Sequence, residues 1–493
     1  MERKWWTLIA VCVAIFMLLL DITVVNVALP SIQSSLHASF QDLQWVVDAY
    51  SLTLAAFLLT GGALADLFGR RLLFTIGLVV FTASSAVCGL SSTPLTLNLA
   101  RGVQGIGGAL MFATSLALIA QAFQGRDRGT AFGIFGAVTG AAVAAGPLIG
   151  GVITSAIGWE WIFFVNVPIG AFAVALTLAK VAESRDPNAT GVDWAGLVTF
   201  SGSLFLLVFA LVRGNDTGWG STQIVAMLSA SAILLVGFVI AERAQKRPML
   251  DLSLFKRPAF VGANLVAFTL SSSAFAMFLY LTLYIQDVLR YSPLQAGLRF
   301  LPTTLLMFAV APLSGKLSVR VPIRLLLGVG LLFVSGGLLA MTLVSSTSGW
   351  TALIPGFVLQ GIGVGLVNPP LASAAIGVVP PARSGMASGA NNTFRQVGIA
   401  TGIAALGAIF QHKLGVGGPA VQHASRAAFV GAFTSILEIA ALVAFVGAVA
   451  AFALVRSKDF VASQAPGEAL AAPPPGIAGS GREPLVAGAR EHG

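Results

Sequence analysis

Fourteen apolar runs, each long enough to cross a bilayer, constrain this chain more than any other feature. They fall at roughly 7–29, 43–64, 72–91, 96–120, 130–156, 162–181, 193–212, 222–241, 260–286, 296–316, 323–344, 351–376, 387–411 and 431–455. A helix rises 1.5 Å per residue, so about 20 apolar residues cross a hydrocarbon core about 30 Å thick. Backbone polar groups find no water there and must bond within the segment, which dictates helices for runs of this length. The expected fold is an all-α polytopic membrane protein. Composition agrees, since only 10% of the 493 residues are charged, against about a quarter in soluble domains. The 55 glycines, which would suggest linkers in water, suggest close helix contacts in a membrane.

The charges give the orientation. With both termini inside, the inner connections carry Arg3, Lys4, Arg70, Arg71, Arg126, Arg128, Lys180, Arg185, Arg243, Lys246, Arg247, Lys256, Arg257, Lys316, Arg320, Arg324, Arg383, Arg456 and Lys458. The outer connections hold only Arg213, Arg290, Arg299, Lys413 and Arg426. This bias places both termini in the cytoplasm. It also accounts for the net charge of +9 without a nucleic-acid partner. Arg3 and Lys4 ahead of an apolar run resemble a signal peptide, but the run is long, holds an acid and lacks a small-residue cleavage site, so a retained first helix is expected. Cys12 and Cys88 both lie in apolar runs and imply no disulfide framework. No nucleophile–base pairing, Walker-type loop or metal-ligand cluster is visible. His37, His412 and His423 fall in outer loops and His492 in the tail, so neither an enzyme nor a cofactor is expected.

A repeat is legible as words. Val103-Gln104-Gly105-Ile106-Gly107 in the fourth run returns as Leu359-Gln360-Gly361-Ile362-Gly363 in the twelfth, and Arg128 to Gly133 is echoed loosely by Arg383 to Gly389. An offset of eight runs suits two six-helix halves, 1–182 and 256–456, separated by two inserted helices over 193–241. Duplicated halves of this kind rock around a midplane site in transporters. The Pro-, Ala- and Gly-rich stretch 460–493 reads as a disordered cytoplasmic tail.

Ionisable residues inside the runs mark candidate chemistry, because a charge at that depth costs several kcal/mol unless paired or neutralised. Asp21 lies ~21 Å from the inner face, while Asp48 and Arg101 lie roughly 8 and 9 Å below the outer face. Two acids and a base thus share one layer. A carboxylate in a dry cavity favours its protonated form and one beside an arginine its ionised form. A group alternating between those settings can carry a proton. Either Asp21 or Asp48 suits that role, with Arg101 as the resetting charge; a static Asp–Arg pair locking helices together is the alternative.

These residues sit in words that resemble the fourteen-span drug:proton antiporter branch (EmrB/QacA type) of the major facilitator superfamily. Leu20-Asp21-Ile22-Thr23-Val24-Val25-Asn26-Val27-Ala28-Leu29-Pro30 is similar to that branch's first-helix motif. Gly62-Ala63-Leu64-Ala65-Asp66-Leu67-Phe68-Gly69-Arg70-Arg71 resembles the motif between helices two and three, with Leu67 where a basic residue is common. Arg101 to Gly107 resembles the fourth-helix motif tied to proton coupling. Gly146-Pro147-Leu148-Ile149-Gly150-Gly151 resembles the fifth-helix antiporter motif, with Ala142 where glycine is usual, and Trp159 to Pro168 completes the pattern with Glu160 in place of a frequent arginine. The resemblance spans about 5–456. It implies that Asp66, Arg70 and Arg71 latch the two halves on the cytoplasmic side. Gly146-Pro147 interrupts a helix and Gly150-Gly151 permits close approach, together a packing hinge.

The expected function is proton-coupled export of hydrophobic, cationic drugs or toxic compounds across the cytoplasmic membrane, with protons as coupling ion. Export of one endogenous metabolite is the competing reading. Membrane lipids and lipophilic small molecules are the expected partners, and a periplasmic adaptor stays open. Asp21 and Asp48 are candidate substrate contacts, joined by Tyr280 and Tyr284 on one face of the ninth helix, whose rings suit a lipophilic cation. Asn368, Arg395 and Glu438 are further candidates in the second half.

Overall fold

The computed structural model describes residues 2–456 apart from 124, 186–190, 192, 246–247, 249, 319, 379–383 and 416–424. The tail expected over 460–493 lies outside the described residues. Among the described residues twelve helices are long and apolar enough to span a membrane, and counting each of two bent pairs as one span brings the number to fourteen. In chain order they are α1 (Arg3–Leu36), α2 (Phe40–Phe68), α3 (Arg70–Gly89), α4 (Pro94–Ala122), α5 (Gly125–Ala156) and α6 (Trp161–Lys180). Then follow α7 (Trp194–Thr217), α8 (Thr222–Ala244), α9 (Pro258–Val288), α10 (Pro293–Arg299 and Leu301–Leu317), α11 (Ile323–Met341), α12 (Trp350–Ala375), α13 (Ser384–Leu414) and α14 (Arg426–Leu454). Large apolar side chains such as Leu99, Phe172, Ile233, Leu343 and Leu442 are exposed on the outer surface, where lipid replaces water.

Helix ends follow local chemistry. Ser39 and Asp42 form a reciprocal capping box at the start of α2, and Ser292 with Gln295 does the same for α10, each satisfying amides left free in a first turn. The first helix outruns the expected boundary at residue 29. Pro30 stays inside α1, and the end comes at His37, whose left-handed φ of 50° lets the Ala38 amide bond the Gln33 carbonyl. α5 bends by 45° between Ile134–Val143 and Ala145–Ala156; the Pro147 ring meets the carbonyl four residues earlier at that break. α10 bends by 41° where Pro302 interrupts the amide ladder. Within α9, Ser271–Phe275 and Tyr284–Val288 are π-helical turns, which re-aim side chains relative to a straight helix.

The repeated words do the same packing work in both halves. A Cβ on Gly105 would collide with Tyr50 and Thr53 of α2, and one on Gly361 would lie 2.5 Å from the Thr303 carbonyl of α10. Two residues on, a Cβ on Gly107 would lie 2.6 Å from the Phe81 amide of α3, and one on Gly363 2.5 Å from the Gly330 carbonyl of α11. α4 and α12 therefore each press two neighbouring backbones together through the same pair of glycines. Gly107→Val and Gly363→Val are each expected to lower the thermal midpoint of purified protein, because overpacking costs about 1–3 kcal/mol and backbone cannot rotate away. Gly62→Ala is the control: a Cβ there meets nothing within 4 Å, so its midpoint stays at the wild-type value.

The inserted pair has a defined seat. Ser203 of α7 and Ser231 of α8 each donate to the other's carbonyl at 2.8 Å. α7 then fills the seam between α2 and α13: Trp45 packs on Phe205 and Phe209, Leu52 and Ala55 meet Leu204 and Val208, and Ala400 and Ala404 close the other side. Asn215 donates to the Ala408 carbonyl, and Gln41 donates to Asp216 at 2.7 Å. Only 17% of the α8 window is buried, so α8 shields α7 from lipid and touches little else.

Candidate functional site

Asp21 and Arg101 meet in the interior, as 2% and 1% exposed residues. Arg101 Nη1 lies 2.5 Å from Asp21 Oδ2. The other carboxylate oxygen accepts from Gln104 Nε2 at 3.0 Å and from Asn166 Nδ2 at 3.1 Å. Arg101 also donates to Gln104 Oε1 at 2.7 Å and, through Nε, to the Val46 carbonyl at 3.0 Å. Its guanidinium stacks over Tyr50, 4.3 Å from the ring centroid. Asn166 donates as well to Ser85, whose hydroxyl donates to the Phe163 carbonyl. Side chains from α1, α2, α3, α4 and α6 thus converge on one charge pair, and both ions have their bonding capacity largely filled. Gln104 and Asn166 both lie in the motif words, yet sequence reading assigned them no role; an amide three residues after a buried arginine was the available signal.

Asp48 does not join this network. It is fully buried, and among the described residues neither carboxylate oxygen has a hydrogen-bond partner. Equal depth predicted a trio; azimuth separates it. Val46, whose carbonyl accepts the Arg101 Nε–H, and Asp48 are two residues apart on α2, a rotation of about 200° around the helix. Asp48 instead falls on the side facing Tyr280 of α9. There Gln44 Nε2 and the Tyr280 hydroxyl both donate to the Ile403 carbonyl of α13, at 3.1 and 2.6 Å, while Gln44 Oε1 is unpartnered.

At the inner end of α2, Asp66 and Arg70 form an i,i+4 ion pair of 2.8 Å, and Gly69 turns the chain with φ 120°, a conformation open to glycine. The Glu183 carboxylate accepts from the Arg71 and Leu72 amides at 2.9 and 3.1 Å, capping α3 where its amides are free. Arg70 N–H bonds the Ser184 carbonyl and Arg71 that of Val181. These bonds join α3 to the segment after α6, all inside the first half. Glu183, missed from sequence, stands out only as an acid among basic inner loops.

A cavity lies between α1 and α2 on one side and α9, α10, α12 and α13 on the other. Ile22, Thr23 and Asn26 of α1 and Val47 of α2 face Phe275 and Phe278 of α9 across it. Thr303 and Thr304 of α10, Gln360 of α12 and Ile403 of α13 complete the wall. Among the described residues no charged side chain lines it. Asp21 and Asp48 each precede or follow a lining residue yet point away. Tyr280 and Tyr284 are fully buried, and Tyr284 stacks on Phe433 with centroids 5.0 Å apart, so their shared face packs against protein. Arg395 donates to Asn368 at 3.0 Å, and its guanidinium lies 5.9 Å from the Phe275 ring centroid. Glu438 is exposed on α14. None of these five lines the cavity.

One side of the cavity is sealed between halves. Gln286 of α9 donates to the Val27 carbonyl of α1 at 2.7 Å, and the Leu294 amide of α10 to Ser155 of α5 at 2.9 Å. Gly146 lies against Thr23, Gly150 within 2.9 Å of the Val24 carbonyl, and Gly151 within 2.6 Å of the Pro293 carbonyl, all measured from an added Cβ. Gly297 in turn abuts Pro147. The fifth-helix motif is thus where α5 touches α1 on one flank and α10 on the other.

A helical body of duplicated packing, with a site at the interface of its parts, has a counterpart among known proteins. The family model for the Major Facilitator Superfamily matches residues 11–403. The chain belongs to this superfamily. Its fold is similar to that of a bacterial homolog of the human lysosomal transporter Spinster, solved in an inward-facing, occupied conformation, with TM-score 0.64, 15% identity and coverage of 94% of this chain and 99% of that one. The multidrug resistance protein Stp of Mycobacterium tuberculosis is 38% identical over 82% of this chain and 75% of its own length. The tetracenomycin C resistance and export protein of Streptomyces glaucescens is 34% identical over 84% and 77%, and the riboflavin transporter RibZ of Clostridioides difficile 31% identical over 93% and 99%. This member of the superfamily is a multi-pass transporter of the cytoplasmic membrane, not an enzyme, and its relatives support a drug exporter.

Proposed function

We propose that the protein exports lipophilic drugs or toxic compounds in exchange for protons, by alternating access to the cavity between its halves. The observation that carries the exchange is Asp48, a fully buried carboxyl group with no bond to either oxygen, close to the α2–α9–α13 contacts that join the halves. Such a group has no structural task in this conformation, and it can exchange a proton once rocking of the halves lets water reach it. Asp21, saturated by Arg101, Gln104 and Asn166, fits the coupling element of the first half: it transmits a change in charge to α4 and α6 through bonds that break together. Each proton moving down a membrane potential supplies about 2.3 kcal/mol per 100 mV. Sealing by α1 against α9 and α5 against α10 supports a conformation closed on that side, from which rocking of the halves reopens the site. Relatives that carry resistance to many compounds and relatives named for one antibiotic both occur, and export of a single endogenous product is the second reading.

The test is purified protein in proteoliposomes with an imposed pH gradient, offered a panel of fluorescent compounds that includes ethidium and neutral anthraquinone dyes. Accumulation against a gradient that collapses on adding a protonophore is the expected result. Accumulation indifferent to the protonophore overturns proton exchange, and movement of one compound alone favours the single-product exporter.

A further inference from the structure

The transport reading leaves open what the cavity binds, and its wall is chemically specific. Its polar groups are Thr23, Asn26, Thr303, Thr304 and Gln360. The three hydroxyl protons are already committed: Thr23 to Leu19 and Leu20, Thr303 to Phe357 and Thr304 to Leu301, all backbone carbonyls. The hydroxyls therefore offer a guest only their acceptor lone pairs. Asn26 spends an N–H on the Ile22 carbonyl at 3.0 Å. Gln360, 2% exposed, holds its side-chain oxygen buried and without a hydrogen-bond partner among the described residues, an unfavourable state until a donor arrives.

The electrostatics oppose a cation. Asp21 is neutralised by Arg101 and turned into the first half, and Asp48 is on the Tyr280 side of α2. The guanidinium of Arg395, which forms no ion pair among the described residues, lies 5.9 Å from the Phe275 ring centroid. An arginine already drawing on the Phe275 ring weakens the attraction that the ring would offer a cationic guest. Burying a cation without a counter-charge is costly.

We infer that the cavity takes a neutral, largely aromatic compound bearing an O–H or N–H donor, which Gln360 Oε1 accepts while Phe275 and Phe278 cover the rings. This rests on the cavity being the transport site, and it reverses the cationic preference expected from the sequence. Gln360 then has a role that its counterpart in the repeat does not share. Gln104 completes the Asp21–Arg101 pair, whereas Gln360 is left for the guest.

The experiment is equilibrium binding to purified, folded protein, read by quenching of intrinsic tryptophan fluorescence. Three probes are used: aminoanthraquinone, which is neutral and carries N–H donors, its N,N-dimethyl derivative, which is neutral without them, and tetraphenylphosphonium, a cation without donors. Aminoanthraquinone is expected to bind about tenfold more tightly than either of the others, the worth of one buried hydrogen bond. Gln360→Leu should level the two anthraquinones, and Gln360→Glu should raise tetraphenylphosphonium affinity about tenfold. Tetraphenylphosphonium binding as tightly as aminoanthraquinone, equal binding of the two anthraquinones, or no binding of any probe overturns the inference. The comparison among probes needs no variant, so a misfolded substitution does not spoil it. Binding is read without a gradient, so loss of proton coupling in the transport assay leaves this result standing, and the reverse.

Discussion

Arg101→Met is expected to destabilise the protein by about 3–5 kcal/mol, since removing one partner of a buried pair strands the other charge. Asp21 would keep Gln104 and Asn166 but lose the 2.5 Å contact with its counter-ion, and the Val46 carbonyl would lose its donor. Transport should fall with it. The double variant Asp21→Asn with Arg101→Met removes both charges at once and should recover most of the stability, because no unpaired ion is left. Denaturant unfolding of the two variants in detergent measures this. A single variant as stable as the wild type would show that the pair does not hold α1 against α4. Recovery of stability in the double variant without recovery of uphill transport would separate a coupling role from a purely structural one.

Asp48→Asn should do the opposite. The carboxyl oxygens of Asp48 accept no hydrogen bond, so an isosteric amide removes no contact, and stability should stay within about 1 kcal/mol of wild type. Uphill transport should vanish. At 100 mV one coupled proton sustains a gradient of about 50-fold, and the variant should accumulate substrate only to the ratio of about 1 set by diffusion. Exchange of labelled for unlabelled substrate, which needs no net proton movement, should persist. The measurement is accumulation and exchange on the same proteoliposomes. Retained 50-fold accumulation would remove Asp48 from the coupling step and return the role to Asp21.

Much of the architecture was legible because it is written in one dimension. Apolar length marks helices, and the loop arginines give their orientation. Pro147 marked one bend in advance, although α1 shows the limit of that signal: Pro30 sits inside a helix whose end is set by His37. The repeated glycines were also legible, since a residue without a Cβ at the same place in two similar words implies the same close approach. In the cytoplasmic motif, Asp66, Arg70 and Arg71 were visible as charges, but Glu183 was not, because nothing local links it to residues more than a hundred positions away.

The sequence by itself determined that this is a helical, multi-pass membrane protein, and it marked two acids and an arginine as buried in its helices. Only the tertiary structure decided that Arg101 belongs to Asp21, that Asp48 stands alone, and that neither faces the cavity. Depth follows from counting residues along a helix. Facing depends on how each helix is rotated against its neighbours, and that is set by close contacts such as Gly105 on α2 and Gly150 on α1. The same rotation gives Gln104 to the ion pair and Gln360 to the cavity, two outcomes from one repeated word.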